Sequence, residues 1–275
     1  MADDRRGALD AQRGRPTVID AELVIVPDSQ ALACEAAQRL ADLARKATES
    51  RGRFSVALSG GSTPSPLYRL LTEEPYRSQI PWAQVDLFWA DERCVPPDDP
   101  GSNYRLAYEA LIAHTPIPAE NVHRVRGELA PKAAARAYDR ELRRFFCGPR
   151  PRFDLVLLGL GSDGHTASLF PTSEALQETE RLAVATTAFY DNRPTERVTL
   201  TLPPLNAARQ VLFLVSGPEK AEIVQAVLAD VDGRLPARRV RPVAGQLTWL
   251  LDAAAASRVP SVLLYELFAA VHKRM

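Results

Sequence analysis

Short apolar runs alternate along the chain with longer segments whose apolar positions recur at helical spacing. TVIDAELVIV (17–26) reads as a strand, and Asp28 then caps an alanine-rich helix through about Thr48. RFSVAL (53–58) is a second strand, followed by SGGSTP and a helix over PLYRLLTEE. VDLFWA (85–90) is almost continuously apolar, the pattern of a strand covered on both faces. The polar DERCVPPDDPGSN (91–103) reads as a loop, and YRLAYEALIAH after it as a helix. PKAAARAYDRELRRFF (131–146) is a helix with Pro131 near its start. FDLVLLGL (153–160) has the most buried strand pattern. LAVATTAF (182–189) and ERVTLTLPPL (196–205) alternate better and suit an antiparallel portion. QVLFLVSG (210–217) is another buried strand, and PEKAEIVQAVLAD (218–230) another helix.

This alternation implies an α/β fold of three layers. A mostly parallel, Rossmann-like sheet carries helices on both faces, with a small antiparallel portion. Residues 17–256 read as one domain. The charged stretch before it, 1–16, reads as a flexible tail with no apolar h-region of a signal peptide. VPSVLLYELFAAVHKRM at the end of 257–275 reads as an amphipathic helix packed on the domain.

Composition narrows the function classes. The 275 residues carry 34 Lys+Arg against 34 Asp+Glu, a balance that disfavours a general nucleic-acid binder. No apolar stretch reaches the ~18 residues of a membrane helix. Three widely spaced cysteines, Cys34, Cys94 and Cys147, suggest no disulfide framework and fit reduced thiols in a cytoplasm. The four histidines have no metal-ligand spacing, so no metal site is expected.

In such a sheet the functional loops lie at strand C-termini. Four loops there are chemically loaded: SGGSTP, DERCVPP, GLGSDGH and SGPEK. The glycines of LLGLGSDGHTASLF (157–170) form a G-x-G-x-x-G, which suggests a dinucleotide turn. That reading fails, because Pro171 ends any helix after barely two turns and no acid-terminated strand follows. ALSGG around Ser59 is a relaxed nucleophile elbow, with Asp163 and His165 as partners for a minority serine-hydrolase reading. The third reading presents His165 at the N-terminus of a short helix, with Asp163 fixing its tautomer. The spacing equally allows a turn capped by Asp163 with His165 in solvent.

The SGGST stretch (Ser59, Gly60, Gly61, Ser62 and Thr63) sets two glycines and hydroxyls before a proline-started helix, which suits a phosphate cradle. Taken alone, a capped tight turn explains it as well. The loop after another strand brings Asp91, Glu92 and Arg93 to that strand's end, Lys220 lies in the first turn of a helix and Arg197 on the alternating strand. Each charge alone is more often a surface group, but together the cations suit a phosphate.

The blocks SVALSGGSTPSPLYRLL (55–71), VDLFWADERCVPPDDPGSNYRLAYEALI (85–112), NVHRVRGE (121–128), FDLVLLGLGSDGHTASLFP (153–171), ERVTLTLPPLN (196–206) and SGPEKA (216–221) resemble the glucosamine-6-phosphate isomerase/6-phosphogluconolactonase family. The resemblance runs from about residue 18 to 256, and the DER and DGHTASLFP blocks look like its lactonase branch. It implies a hydrolase without cofactor, acting on the small phosphorylated sugar lactone 6-phospho-D-glucono-1,5-lactone in the pentose phosphate pathway. It implies His165 as the catalytic histidine with Asp163 beside it. Ser59, Gly60, Gly61, Ser62, Thr63, Asp91, Glu92, Arg93, Gly164, Arg197 and Lys220 are the implied substrate and phosphate positions. No nucleic acid or membrane partner is implied, and a monomer or weak homo-oligomer is expected.

The expected mechanism is general-base attack by water, with the oxyanion held by N–H groups around Gly161 to Gly164. Two alternatives stay open. An aldose–ketose isomerase or deaminase acting on glucosamine 6-phosphate would use Asp91 as its base. A sugar-phosphate sensor would bind without turnover.

Overall fold

The computed structural model describes residues 21–147, 151–188, 194–230 and 233–261. The expected tail (1–16), the start of the first strand (17–20) and the C-terminal helix from 262 onward lie outside the described residues. In chain order the elements are β1 (Glu22–Val26), α1 (Ser29–Arg51), β2 (Phe54–Leu58), α2 (Ser65–Leu70), α3 (Tyr76–Gln79), β3 (Val85–Trp89), β4 (Asp91–Arg93) and α4 (Asn103–Ala110). There follow α5 (Pro131–Phe146), β5 (Leu155–Leu158), β6 (Ala183–Thr187), β7 (Glu196–Leu200), α6 (Leu202–Ala207), β8 (Gln210–Val215), α7 (Ala221–Ala229) and β9 (Gln246–Asp252).

Six strands form one sheet in the order β1-β9-β8-β5-β2-β3, and every pair in it is parallel. All residues of β2, β3 and β5 are buried, so side chains on both sheet faces are covered, as their unbroken apolar runs require. α1 lays a row of buried alanines, Ala33, Ala36, Ala37, Ala41, Ala44 and Ala47, into the core. Asp28 caps it as expected, accepting from the Ala31 amide at 2.8 Å. Shortening a fully buried strand leucine, for example Leu157→Ala, would cost roughly 2–5 kcal/mol through lost contact and the cavity left behind.

The antiparallel portion is a separate three-stranded sheet, β4-β7-β6. Here the structure corrects two readings. Asp91–Arg93 is not loop but strand: its polar residues pair with Arg197–Thr199 of β7, a tertiary pairing that overrides composition. β9 was not foreseen at all, although it sits between β1 and β8 and has only its first residue exposed. The helices over 66–74 and 104–114 are shorter than expected, ending at Leu70 and Ala110.

Candidate active site

β8, β5, β2 and β3 are neighbours in the large sheet and run the same way, so their C-terminal ends meet at one edge. The four loaded loops leave from those ends. Two fully buried tyrosines set the take-off. The Tyr68 hydroxyl donates to Ser59 O at 2.6 Å and accepts from Ser59 N at 3.1 Å, directly after β2. The Tyr138 hydroxyl does the same for Trp89 at the end of β3, at 2.9 and 2.8 Å.

After β5 the chain makes a compact turn rather than a helix, which corrects the expected helix start at His165. Gly161 N donates to His165 O at 2.8 Å, and Gly164 N to Gly161 O at 3.0 Å. Gly164 lies at φ 80°, a left-handed conformation open to glycine. A β-carbon at Gly161 would stand 1.9 Å from His165 Nδ1. The glycines therefore make room for an imidazole, not a pyrophosphate. Of the N–H groups expected around Gly161 to Gly164, those of Gly161 and Gly164 are engaged in closing the turn.

Within the turn His165 Nδ1 meets Asp163 Oδ1 at 2.5 Å, and the same oxygen accepts from His165 N at 3.1 Å. This puts the Nδ1 proton on the carboxylate side and the basic lone pair on Nε2. The ring also leans on Phe170, with centroids 4.7 Å apart. Partial burial works to raise the Asp163 pKa, but the hydrogen bonds from the His165 ring and backbone outweigh it and hold the carboxyl below its ordinary value. Ser59 Oγ donates to Gly60 O at 3.3 Å, and no histidine among the described residues bonds it, which removes the support for a serine triad.

The small sheet supplies the arginines. Register places Arg93 of β4 directly opposite Arg197 of β7, on one sheet face. Two like charges so paired repel, and an anion between them would relieve the repulsion. Arg93 Nη1 is bonded to Gly101 O, while its buried Nε has no hydrogen-bond partner among the described residues. Lys220 ends a 3₁₀ turn (Pro218–Lys220) and donates to Leu160 O at 2.8 Å, which ties its loop to the histidine turn. Ser62 lies exposed and Thr63 partly exposed at the mouth of the β2 loop.

Glu92 and Asp91 are placed differently from expectation. Glu92 points into the start of α4. Its two oxygens accept from the amides of Arg93, Asn103 and Tyr104, each at 2.7 Å, and from Ser102 Oγ at 3.1 Å. It clamps the start of α4, each of its oxygens accepting two of these bonds; burial pushes its pKa up, and those amides push back. Asp91 is also buried, held by Ser168 Oγ at 2.6 Å and by Asn103 Nδ2, with Arg197 Nη1 at 3.8 Å.

The profile of the family described as glucosamine-6-phosphate isomerases/6-phosphogluconolactonase matches residues 27–249. This chain belongs to that family. It is 41% identical over 241 residues to a 6-phosphogluconolactonase of Nostoc sp., covering 86% of this chain and 97% of that one. It is 43% identical over 230 residues to a 6-phosphogluconolactonase of Rattus norvegicus, covering 82% and 89%. Its fold is similar to the solved structure of 6-phosphogluconolactonase from Trypanosoma cruzi, with a TM-score of 0.79 at 30% identity, covering 89% of this chain and 98% of that one.

Against that family background, the residues missed from the sequence are Thr166, Ser168 and Asn103. All three are polar and almost fully buried: 1%, 0% and 2% exposed. The signal for them was in plain view, a run of hydroxyls directly after the histidine and an Ser-Asn pair closing the DER block. Among the described residues no group of three or more His, Cys, Asp or Glu could hold a metal, and no helix is long and apolar enough to cross a membrane.

Proposed function

We propose that this chain is a 6-phosphogluconolactonase, hydrolysing 6-phospho-D-glucono-1,5-lactone to 6-phospho-D-gluconate in the oxidative pentose phosphate pathway. The observation that carries the reading is the Asp163–His165 pair, locked in a turn that Ser168 ties to the sheet carrying Arg93 and Arg197. Phosphate docks on Arg93, Arg197, Lys220 and the Ser62 and Thr63 hydroxyls, with the amides of the Gly60–Gly61 turn completing the cradle. That remote contact delivers the lactone carbonyl to His165. His165 Nε2 takes a proton from water as its oxygen bonds C1, and the imidazolium then protonates the ring oxygen as the C1–O bond breaks. Such general-base help contributes roughly 10²–10⁴-fold. Asp163 acts through His165, holding ring orientation and tautomer.

The isomerase/deaminase reading needs Asp91 as a mobile base, and a carboxylate pinned by Ser168 and Asn103 does not suit that task. The sensor reading leaves the oriented histidine without a role. The reading extends to a cytoplasmic monomer or weak homo-oligomer without nucleic-acid partners. Three free thiols support a reducing compartment. The test is release of acid from freshly generated lactone, above spontaneous opening, beside release of ammonia from glucosamine 6-phosphate. Fast lactone turnover without ammonia is expected; the reverse result overturns the assignment.

A further inference from the structure

The segment directly after the histidine has a conformation that the mechanism so far does not use. Ala167 lies at φ 49°, one of two non-glycine residues with positive φ among those described. L-residues avoid this region, and such outliers persist only where their surroundings impose them. The neighbours of Ala167 show what imposes it. Thr166 Oγ1 donates to Gly159 O at 2.8 Å, which fastens the turn to the end of β5 in the large sheet. Ser168 faces the other way. Its amide donates to Thr199 Oγ1 at 3.1 Å, and its hydroxyl to Asp91 Oδ2 at 2.6 Å, both in the small sheet. The left-handed residue between them lets successive hydroxyls grip two different sheets.

Asp91 continues the connection. Asn103 Nδ2 donates to Asp91 O at 2.8 Å, and Arg197 Nη1 stands 3.8 Å from Asp91 Oδ2. Arg93 follows Asp91 by two residues on the same face of β4. A short chain of contacts thus runs from His165 through Ser168 and Asp91 to the arginine pair. The proposed function puts the reacting carbonyl at one end of this chain and the phosphate at the other. Their separation is set where the two sheets are joined.

We propose that Ser168 is a positioning residue for lactone hydrolysis: by holding Asp91 it fixes the distance between the His165 turn and the Arg93/Arg197 phosphate site. The inference rests on the lactonase reading. Reaction rates are steep in such a distance, with about 10²-fold lost for a misplacement near 1 Å. Without the hydroxyl, Asp91 keeps Asn103 and Arg197, so the arginines stay in place while the histidine turn is left with only the Ser168 amide bond to Thr199 on the small sheet.

The experiment compares wild type, Ser168→Ala, Asp91→Asn and the double variant in lactone turnover. Affinity for 6-phosphogluconate is measured by calorimetry. Ser168→Ala is expected to lose about 10- to 100-fold in kcat. Its product affinity should stay within about threefold, since the arginines do not move. In the Asp91→Asn background the same change should cost less than in wild type, because the charge that strengthens the hydroxyl's bond is already gone. Wild-type kcat in Ser168→Ala, a loss confined to affinity, or additive losses in the double variant would each overturn the proposal. A purely structural serine would lower Tm and leave kcat per folded molecule unchanged. If Ser168→Ala does not fold, Thr199→Val decides: it releases the Ser168 amide, so a kcat-only loss is expected and an unchanged kcat refutes. A wild type that does not hydrolyse the lactone sinks the functional reading and this inference with it. An active wild type matched by Ser168→Ala sinks this inference alone.

Discussion

The two ends of the six-stranded sheet both carry charge, and each sets a histidine against a carboxylate. At the N-terminal end His123 lies between Asp86, 3.2 Å from Nε2, and Glu141, 2.8 Å from Nδ1. Its ring stacks on Phe88 with centroids 4.4 Å apart, and Arg53 closes on Asp86 from outside. Nearby, Asp154 takes Arg51 at 2.8 Å and the Ser55 amide and hydroxyl at 2.9 Å each. These groups hold one another and join β2, β3 and β5 at their starts. At the C-terminal end His165 is oriented through Nδ1 by one carboxylate, and two arginines face each other across a strand pair. Carboxylates at both nitrogens fasten the His123 ring between two segments, whereas Asp163 orders the His165 ring through Nδ1 from within its own turn. Position on the sheet agrees with that difference, because loops at strand C-termini are where an α/β fold presents chemistry.

The sharpest way to break the comparison is at Asp163. Asp163→Asn keeps the shape of the turn but removes the charge that orders the imidazole, so kcat should fall on the order of 10²–10⁴-fold. Steady-state turnover checks this, and a loss under threefold would reduce Asp163 to a turn cap. Arg93→Ala should come next, raising KM roughly 10- to 100-fold through loss of a charge-assisted contact to phosphate, with kcat much less affected. Unchanged calorimetric affinity for 6-phosphogluconate would remove Arg93 from the phosphate site.

Glu92→Gln probes the boundary between the two kinds of site. A glutamine NH₂ would face two of the four donors that Glu92 now accepts, at a cost of roughly 2–3 kcal/mol. Thermal melts should show a Tm lower by about 5–10 °C with KM little changed. A large KM effect at full stability would return Glu92 to the substrate. The smallest effect concerns pH. The Asp163 carboxyl titrates below its unfolded value, so its contribution to stability is complete above about pH 4. That contribution is lost as pH falls through the lowered pKa. Melts of wild type and Asp163→Asn should therefore converge on acidification from pH 6 to 3, and a gap that widens would contradict the direction of the shift.

Much of this was legible in the residues, for reasons that also explain the rest. The buried strands β2, β3, β5 and β8 announced themselves as apolar runs, and α5 was read with both its ends correct. His165, Asp163, Arg93 and Arg197 are singled out by their place in loops after such runs or on the alternating strand, and their roles come from the family resemblance rather than from spacing. β9 was missed although Leu247, Trp249, Leu250 and Leu251 are all buried in it; its polar Gln246 and Thr248 dilute the run, and a Pro- and Arg-rich stretch precedes it. β4 is strand only because β7 pairs with it, which no local pattern records. The helix expected at His165 fails because Ala167 turns left-handed to let Thr166 and Ser168 reach opposite sheets. Ser168, Asn103 and the clamp at Glu92 depend on contacts between distant segments, so their roles appear only once the two sheets are assembled.

The most direct test sets the two histidines side by side. Turnover of freshly generated 6-phosphogluconolactone, corrected for spontaneous opening, would be measured for wild type, His165→Asn and His123→Asn. The account predicts a loss of at least about 10²-fold for His165→Asn. It predicts kcat within about twofold of wild type for folded His123→Asn, with a lower Tm from the broken Asp86–His123–Glu141 contacts. An active His165→Asn protein, or a folded but inactive His123→Asn protein, would contradict the assignment of the chemistry to the C-terminal end of the sheet.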